Sequence, residues 1–122
     1  MHIEQFRDFC LAKKGATEHF PFNEDVLVFK VMQKIFVLTS LDSWENGLPK
    51  INLKCNPDKA QQLREAYEGV VKGYHMHKKL WNTVSINTSD VADNLVYELI
   101  NHSYEMVVIG LTNKAKNKLK NL

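Results

Sequence analysis

The segment "VLVFKVMQKIFVLTSL", residues 26–41, decides the fold. Its two halves, 26–31 and 34–41, are runs of β-branched and aromatic residues separated only by Met32 and Gln33. A link that short joins neighbouring antiparallel strands, so the segment reads as a hairpin with a two-residue turn. Downstream, "SWENGLP" is turn sequence, with Asn46-Gly47 and Pro49 as punctuation, and it leads into "KINLKC". There Ile51, Leu53 and Cys55 alternate inward and Asn52 and Lys54 outward, which adds a third strand to a meander. Asn56 then caps a helix that opens on Pro57, where the missing N–H costs nothing; Ala60, Leu63 and Tyr67 form its apolar stripe and Gly69 closes it. "VVKGYHM" and "LWNTVSI" form a second hairpin, with His75, His77, Lys78 and Lys79 about its bend. In the returning strand Leu80, Val84 and Ile86 alternate but Asn82 breaks the pattern, which predicts a place near an edge or rim.

Upstream, Ile3, Phe6, Phe9 and Cys10 recur at helical spacing and predict a helix over residues 3–14, ended by Gly15 in the left-handed conformation. "ATEHFPFNED", residues 16–25, reads as a loop pinned by Phe20 and Phe22 around Pro21. The last helix is expected to start near Ser89, with Asp90 and Asp93 in its first turn, and Val91, Leu95, Leu99 and Ile100 carry its apolar face. "NHS" at 101–103 interrupts that face and predicts a kink or two consecutive helices. Residues 1–112 thus form one domain of order α-β-β-β-α-β-β-α, an α+β two-layer sandwich of antiparallel sheet and helices, and residues 113–122 a basic tail expected to fray.

A chain of 122 residues, 44% apolar and 25% charged, buries a continuous core without a metal or disulfides. Cys10 and Cys55 lie in predicted elements without CxxC spacing and read as reduced, buried thiols. No apolar stretch reaches the length of a signal sequence or a membrane span, which predicts a cytoplasmic protein with no membrane partner. The net charge of +2 is uneven: Lys114, Lys116, Lys118 and Lys120 fall in the tail, leaving 12 basic against 14 acidic residues, or −2, in residues 1–112. That excludes a uniformly basic nucleic-acid binder, but not a local basic surface, and Lys72, Lys78 and Lys79 stand in a window, 69–89, without any Asp or Glu.

His75 and His77, two residues apart on a strand, supply two imidazoles on one side, but no third ligand stands at a zinc spacing, so no metal is expected. Ser103 beside His102 is a co-occurrence without the context of a nucleophile, and no glycine-rich phosphate loop is present; no enzyme activity and no cofactor are expected. The second hairpin fits phosphate contact better, with Lys72, His75, Lys78 and Lys79 along a backbone and Tyr74 or Trp81 stacking or wedging. Lys54, Lys114 and Lys116 extend that set. The plainer account is a solvated basic hairpin whose Trp81 packs on the domain.

"KGATEHFPF", "KIFVL", "INLKCNPDKAQQLRE", "GYHMHKKLWNTV" and "LINHSYEMVV", in this order over nearly the whole chain, resemble the MmcQ/YjbR family of small bacterial proteins. The resemblance implies the secretion-chaperone-like α+β fold, compared also with the frataxin type, and DNA binding through a double wing of two hairpins, here residues 26–41 and 70–87. Gln33 stands where the family has glycine, and His77 and Leu80 replace the family's asparagine and histidine, so the His75–His77 pair is not part of the shared pattern. Three functions follow as expectations: a non-enzymatic DNA-binding module; a protein-interaction or chaperone-like module using a sheet face or dimer surface; and, third, a small-molecule site formed by Phe20-Pro21-Phe22, Lys54, His75 and Trp81.

Overall fold

The structure, a computed structural model, describes residues 1–73 and 80–122. Its elements are α1 (Ile3–Leu11), β1 (Ala16–His19), β2 (Val26–Val31), β3 (Lys34–Ser40), α2 (Leu41–Glu45), β4 (Lys50–Lys54), α3 (Pro57–Ala66), β5 (Val70–Lys72), β6 (Trp81–Ser85), α4 (Asp93–Ile109) and α5 (Asn113–Lys120). The expected α-β-β-β-α-β-β-α order is α1-β2-β3-β4-α3-β5-β6-α4; β1, α2 and α5 are additions to it. The strands form one antiparallel sheet in the order β1-β2-β3-β4-β6-β5.

Met32 and Gln33 make the tight turn, both at positive φ, 48° and 68°. That backbone matches the twist of the flanking strands and explains why glycine suits the second position. Beyond it the ladder shifts: Lys30 pairs with Ile35 but Phe29 with Val37, so Phe36 is the extra residue of a bulge. Phe36 is fully buried and meets the Tyr104 ring edge-on at 5.3 Å.

Cross-strand partners share a face, and the registers define two faces. One contains the row Leu27–Thr39–Ile51–Val84–Val70 and the row Phe29–Val37–Leu53–Asn82–Lys72. The helices pack on this face: Phe6 of α1 meets Phe29 at 5.6 Å, and Val96, Leu99, Ile100 and Val107 of α4 join the same core. The other face carries the mixed row His19–Val28–Leu38–Asn52–Thr83–Val71 across all six strands.

Several expectations change. Ala16–His19 is a strand instead of loop, because pairing with β2 supplies hydrogen bonds that its own propensity does not demand. The first helix ends at Leu11, and Gly15, at φ +74°, instead serves the turn into β1. The fourth helix begins at Asp93, since the Asp90 carboxylate is taken by the backbone N–H groups of Glu68 and Gly69, each at 2.9 Å. It then runs unbroken through "NHS", where Ser103 and His102 bond to backbone of the sheet and the α3 cap. Residues 113–120 are helical where fraying was expected: the Thr112 hydroxyl accepts from the Ala115 N–H at 3.1 Å, and Leu119 is buried against Gly15. No described helix is long and apolar enough to cross a membrane.

Candidate functional site

The strand directions bring distant lysines together. The Met32–Gln33 turn, the end of β4 at Lys54 and the exit of β5 at Lys72 all lie at one end of the sheet, as does Gly15, since Ala16 pairs with Val31. Lys13, Lys14, Lys34, Lys54 and Lys72 therefore share that end, and Lys59 joins them from the first turn of α3. The C-terminal helix adds its four lysines there, tied down by Lys14 Nζ donating to the Lys120 carbonyl at 2.9 Å. Asp58 and Glu105 are the acidic residues among them.

The opposite end reverses the sign. Among the described residues, the segments that follow or precede the strands there carry Glu24, Asp25, Asp42, Glu45, Glu68, Asp90 and Asp93, against Lys50 as the one lysine. The near-zero net charge is thus a polarity along the strand axis, not a mixture. Six strands at ~4.8 Å spacing make the basic end about 24 Å wide, the length of roughly seven base pairs of duplex.

The predicted contact residues divide by position. Lys54 pairs with Trp81 on the face away from the helices, whereas Lys72 lies in the row of Leu53 and Asn82 on the helix side. They share an end but project from opposite faces. Lys114 and Lys116 belong to α5, which packs by β1 and β2, about four strand spacings or ~19 Å from β5. Trp81 is buried. Tyr74, His75, Lys78 and Lys79, and His77 with them, lie outside the described residues. The described members of the small-molecule set do not converge: Phe20–Phe22 follows β1 at the acidic end, and Lys54 and Trp81 stand three and four strands away at the basic end.

Several residues of the resemblance serve the frame of this end. Ser103, fully buried on α4, donates to the Phe36 carbonyl at 2.5 Å and accepts from the Lys54 N–H at 2.8 Å. Its hydroxyl fills the place of a ladder bond just beyond the Val37–Leu53 pair, the last of the β3–β4 ladder on this side. Beside it, His102 Nε2 accepts from the Asn56 N–H at 3.1 Å, and its pKa is lowered first by burial and then by Lys59, with Glu105 opposing. Both groups of the Ser–His pair are thus committed to backbone. Buried Asn82 accepts from Arg64 Nη1 at 2.7 Å and donates to the Ala60 carbonyl at 3.3 Å, which accounts for a polar residue in the core-facing register. Tyr104 donates to the Lys14 carbonyl at 2.6 Å. Burial pushes the Cys55 thiol pKa up, and that of Cys10 as well; both thiols are free. Cys55, His102 and Asn82 border a cavity of about 10 Å³, too small for more than one water. Among the described residues no three His, Cys, Asp or Glu side chains form a group able to hold a metal.

A family model, YjbR, matches residues 11–106. The chain belongs to the YjbR family. It is 36% identical over 100 residues to protein YbdF of Escherichia coli O157:H7, covering 82% of this chain and 79% of that one. Protein YjbR of Escherichia coli K12 is 30% identical over 119 residues, 98% of this chain and 97% of its own. Among solved structures, that of Deinococcus radiodurans protein DR2400 superposes with a TM-score of 0.87 at 29% identity, over 98% of this chain and 88% of that one. A Pseudomonas syringae crystal structure gives 0.72 at 26% identity, over 87% and 98%. The YjbR match spans the lock residues Ser103, His102 and Asn82 but stops before α5, so the four α5 lysines lie outside the matched region.

Sequence reasoning found Lys54, Lys72 and the α5 lysines but passed over Lys13, Lys14, Lys34 and Lys59 as binding residues. The signal was available: each stands where a predicted helix or strand begins or ends, and hairpin connectivity puts those ends together.

Proposed function

We propose that this YjbR-family protein binds nucleic acid by its phosphate backbone, using the lysine-rich end of the sheet. The observation that carries the reading is the polarity of charge along the strand axis, with Lys34, Lys54, Lys72 and the α5 lysines at one end and the carboxylates at the other. A predominantly basic end about 24 Å wide attracts a polyanion although the net charge is small, and the acidic end repels it, so approach is from one direction. Contacts of this kind read phosphates, not base edges, and imply binding with little sequence preference. Tyr74, His75, Lys78 and Lys79 follow Lys72 in the sequence and lie outside the described residues.

The test is fluorescence-anisotropy titration into labelled duplex and single-stranded DNA at ~50 and ~200 mM salt. Five phosphate contacts, one each for Lys34, Lys54, Lys72, Lys114 and Lys116, weaken duplex binding about 500-fold over that range. Binding that is absent at ~50 mM, or indifferent to salt, overturns the proposal. Removing α5 is not a suitable control, since Leu119 belongs to the core; charge reversal at Lys114 and Lys116 replaces it.

A further inference from the structure

β1 closes one side of the sheet, and among the described residues no strand pairs with its outer edge. A free edge is a template for another strand, and monomeric proteins usually blunt it with lysine, proline or a bulge. Ala16–His19 contains none of these. Its charged residue, Glu18, is drawn to the helix side by an ion pair with Arg7 of α1, with Nε at 2.6 Å from the carboxylate. Immediately after the strand, Phe20 and Phe22 stand 49% and 65% exposed. Phe20 also borders a groove of about 270 Å³ with Ile3, Leu27 and Leu41, under the same edge. The other edge is different: β5 has three residues and ends in exposed Lys72.

We infer that β1 pairs antiparallel with β1 of a second copy of this chain, extending the sheet across both and covering Phe20 and Phe22. The charge polarity selects this occupant. A two-fold axis between antiparallel β1 strands reverses the strand axis of the second copy, so the basic end of each lies beside the acidic end of the other. Lys13 and Lys14 at the start of β1 then approach the partner's Glu24 and the partner's Asp25 beyond the end of its β1. A lone extended peptide offers the edge hydrogen bonds but not this end-to-end match. The contact is isologous and closes at two copies. It also turns the two basic ends in opposite directions, a consequence that bears on function only if the nucleic-acid reading holds; the pairing itself does not depend on it.

The experiment is sedimentation velocity of the full chain from ~5 to ~200 μM, a range that brackets a self-association in the micromolar regime. The inference predicts a concentration-dependent shift from monomer to dimer, weakened at least about tenfold by Phe20→Ser with Phe22→Ser and weakened again at ~500 mM salt. Because both phenylalanines are exposed, the variant keeps the wild-type circular dichroism. A second readout is independent of that variant: Thr17→Cys or His19→Cys forms an oxidised dimer, the native thiols being buried, and Val71→Cys on the opposite edge does not. A monomer throughout, a dimer indifferent to the phenylalanine changes, or crosslinking through Val71→Cys instead of β1 overturns it.

Discussion

Ser103→Ala removes one oxygen atom and strands two backbone groups. In the native chain the hydroxyl gives its proton to the Phe36 carbonyl and takes the Lys54 N–H, and Ser103 is fully buried. Alanine leaves both backbone groups without that partner. Each buried, unmatched polar group costs roughly 1–3 kcal/mol, and the half-buried Lys54 backbone regains some solvent, so the expected loss is about 2–4 kcal/mol. For 122 residues the whole folding free energy is on the order of 6–18 kcal/mol, so the loss is a large fraction of it. Urea unfolding followed by the fluorescence of Trp44 and Trp81 measures it, with an unchanged m-value required for the comparison. Tyr104→Phe is the internal contrast, because it also deletes one hydroxyl bond to backbone, at the Lys14 carbonyl, but near solvent. It is expected to cost about 0.5–1.5 kcal/mol, less than Ser103→Ala. A Ser103→Ala loss below about 0.5 kcal/mol, or equal to that of Tyr104→Phe, refutes the assignment of the serine as a strand bridge.

Other outcomes follow from single features. Gln33→Gly places a residue without Cβ at φ 68° and is expected to raise stability by about 0.5–1 kcal/mol in the same urea assay. Leu119→Ala is expected to cost about 2–3 kcal/mol if α5 is docked, and nothing if the segment frays. The Asp90 carboxyl is held below the usual carboxylate range, first by the Gly69 N–H and then by that of Glu68, so its contribution is present above its unfolded pKa and lost as pH falls through the lower folded one. Thermal melts of Asp90→Asn against wild type are therefore expected to differ most at neutral pH and to converge in acid.

The parts of the fold carried by local pattern were legible in the sequence. The β2–β3 hairpin has strand-forming runs on both sides of a two-residue link, and α3 has its own start signal in Asn56-Pro57, with the Asn56 side chain accepting from the Asp58 and Lys59 N–H groups at 3.0 and 3.3 Å. Elements fixed by tertiary contact were not. β1 has no β-rich run and exists because β2 pairs with it. In "NHS" the polar side chains that interrupt the apolar face of α4 include those that reach β3, β4 and the α3 cap, so continuity there depends on partners far away in sequence. α5 hid behind its lysines, although Thr112, Ala115 and Leu119 are spaced as a cap and one apolar face. The candidate site followed the same division. Lys54 and Lys72 were visible as residues of predicted strands, but the polarity they belong to emerges only when the hairpins bring Lys13, Lys14, Lys34 and α5 to the same end.

The most direct test of that polarity compares two variants with identical charge change at opposite ends: Lys34→Glu beside the tight turn and Lys50→Glu at the start of β4, both exposed. Anisotropy titrations into labelled duplex DNA across a salt series give affinity and salt slope for each. The account predicts that Lys34→Glu weakens binding and lowers the slope by about one, whereas Lys50→Glu leaves the slope unchanged. Equal losses in the two variants, or no loss in either, would contradict it.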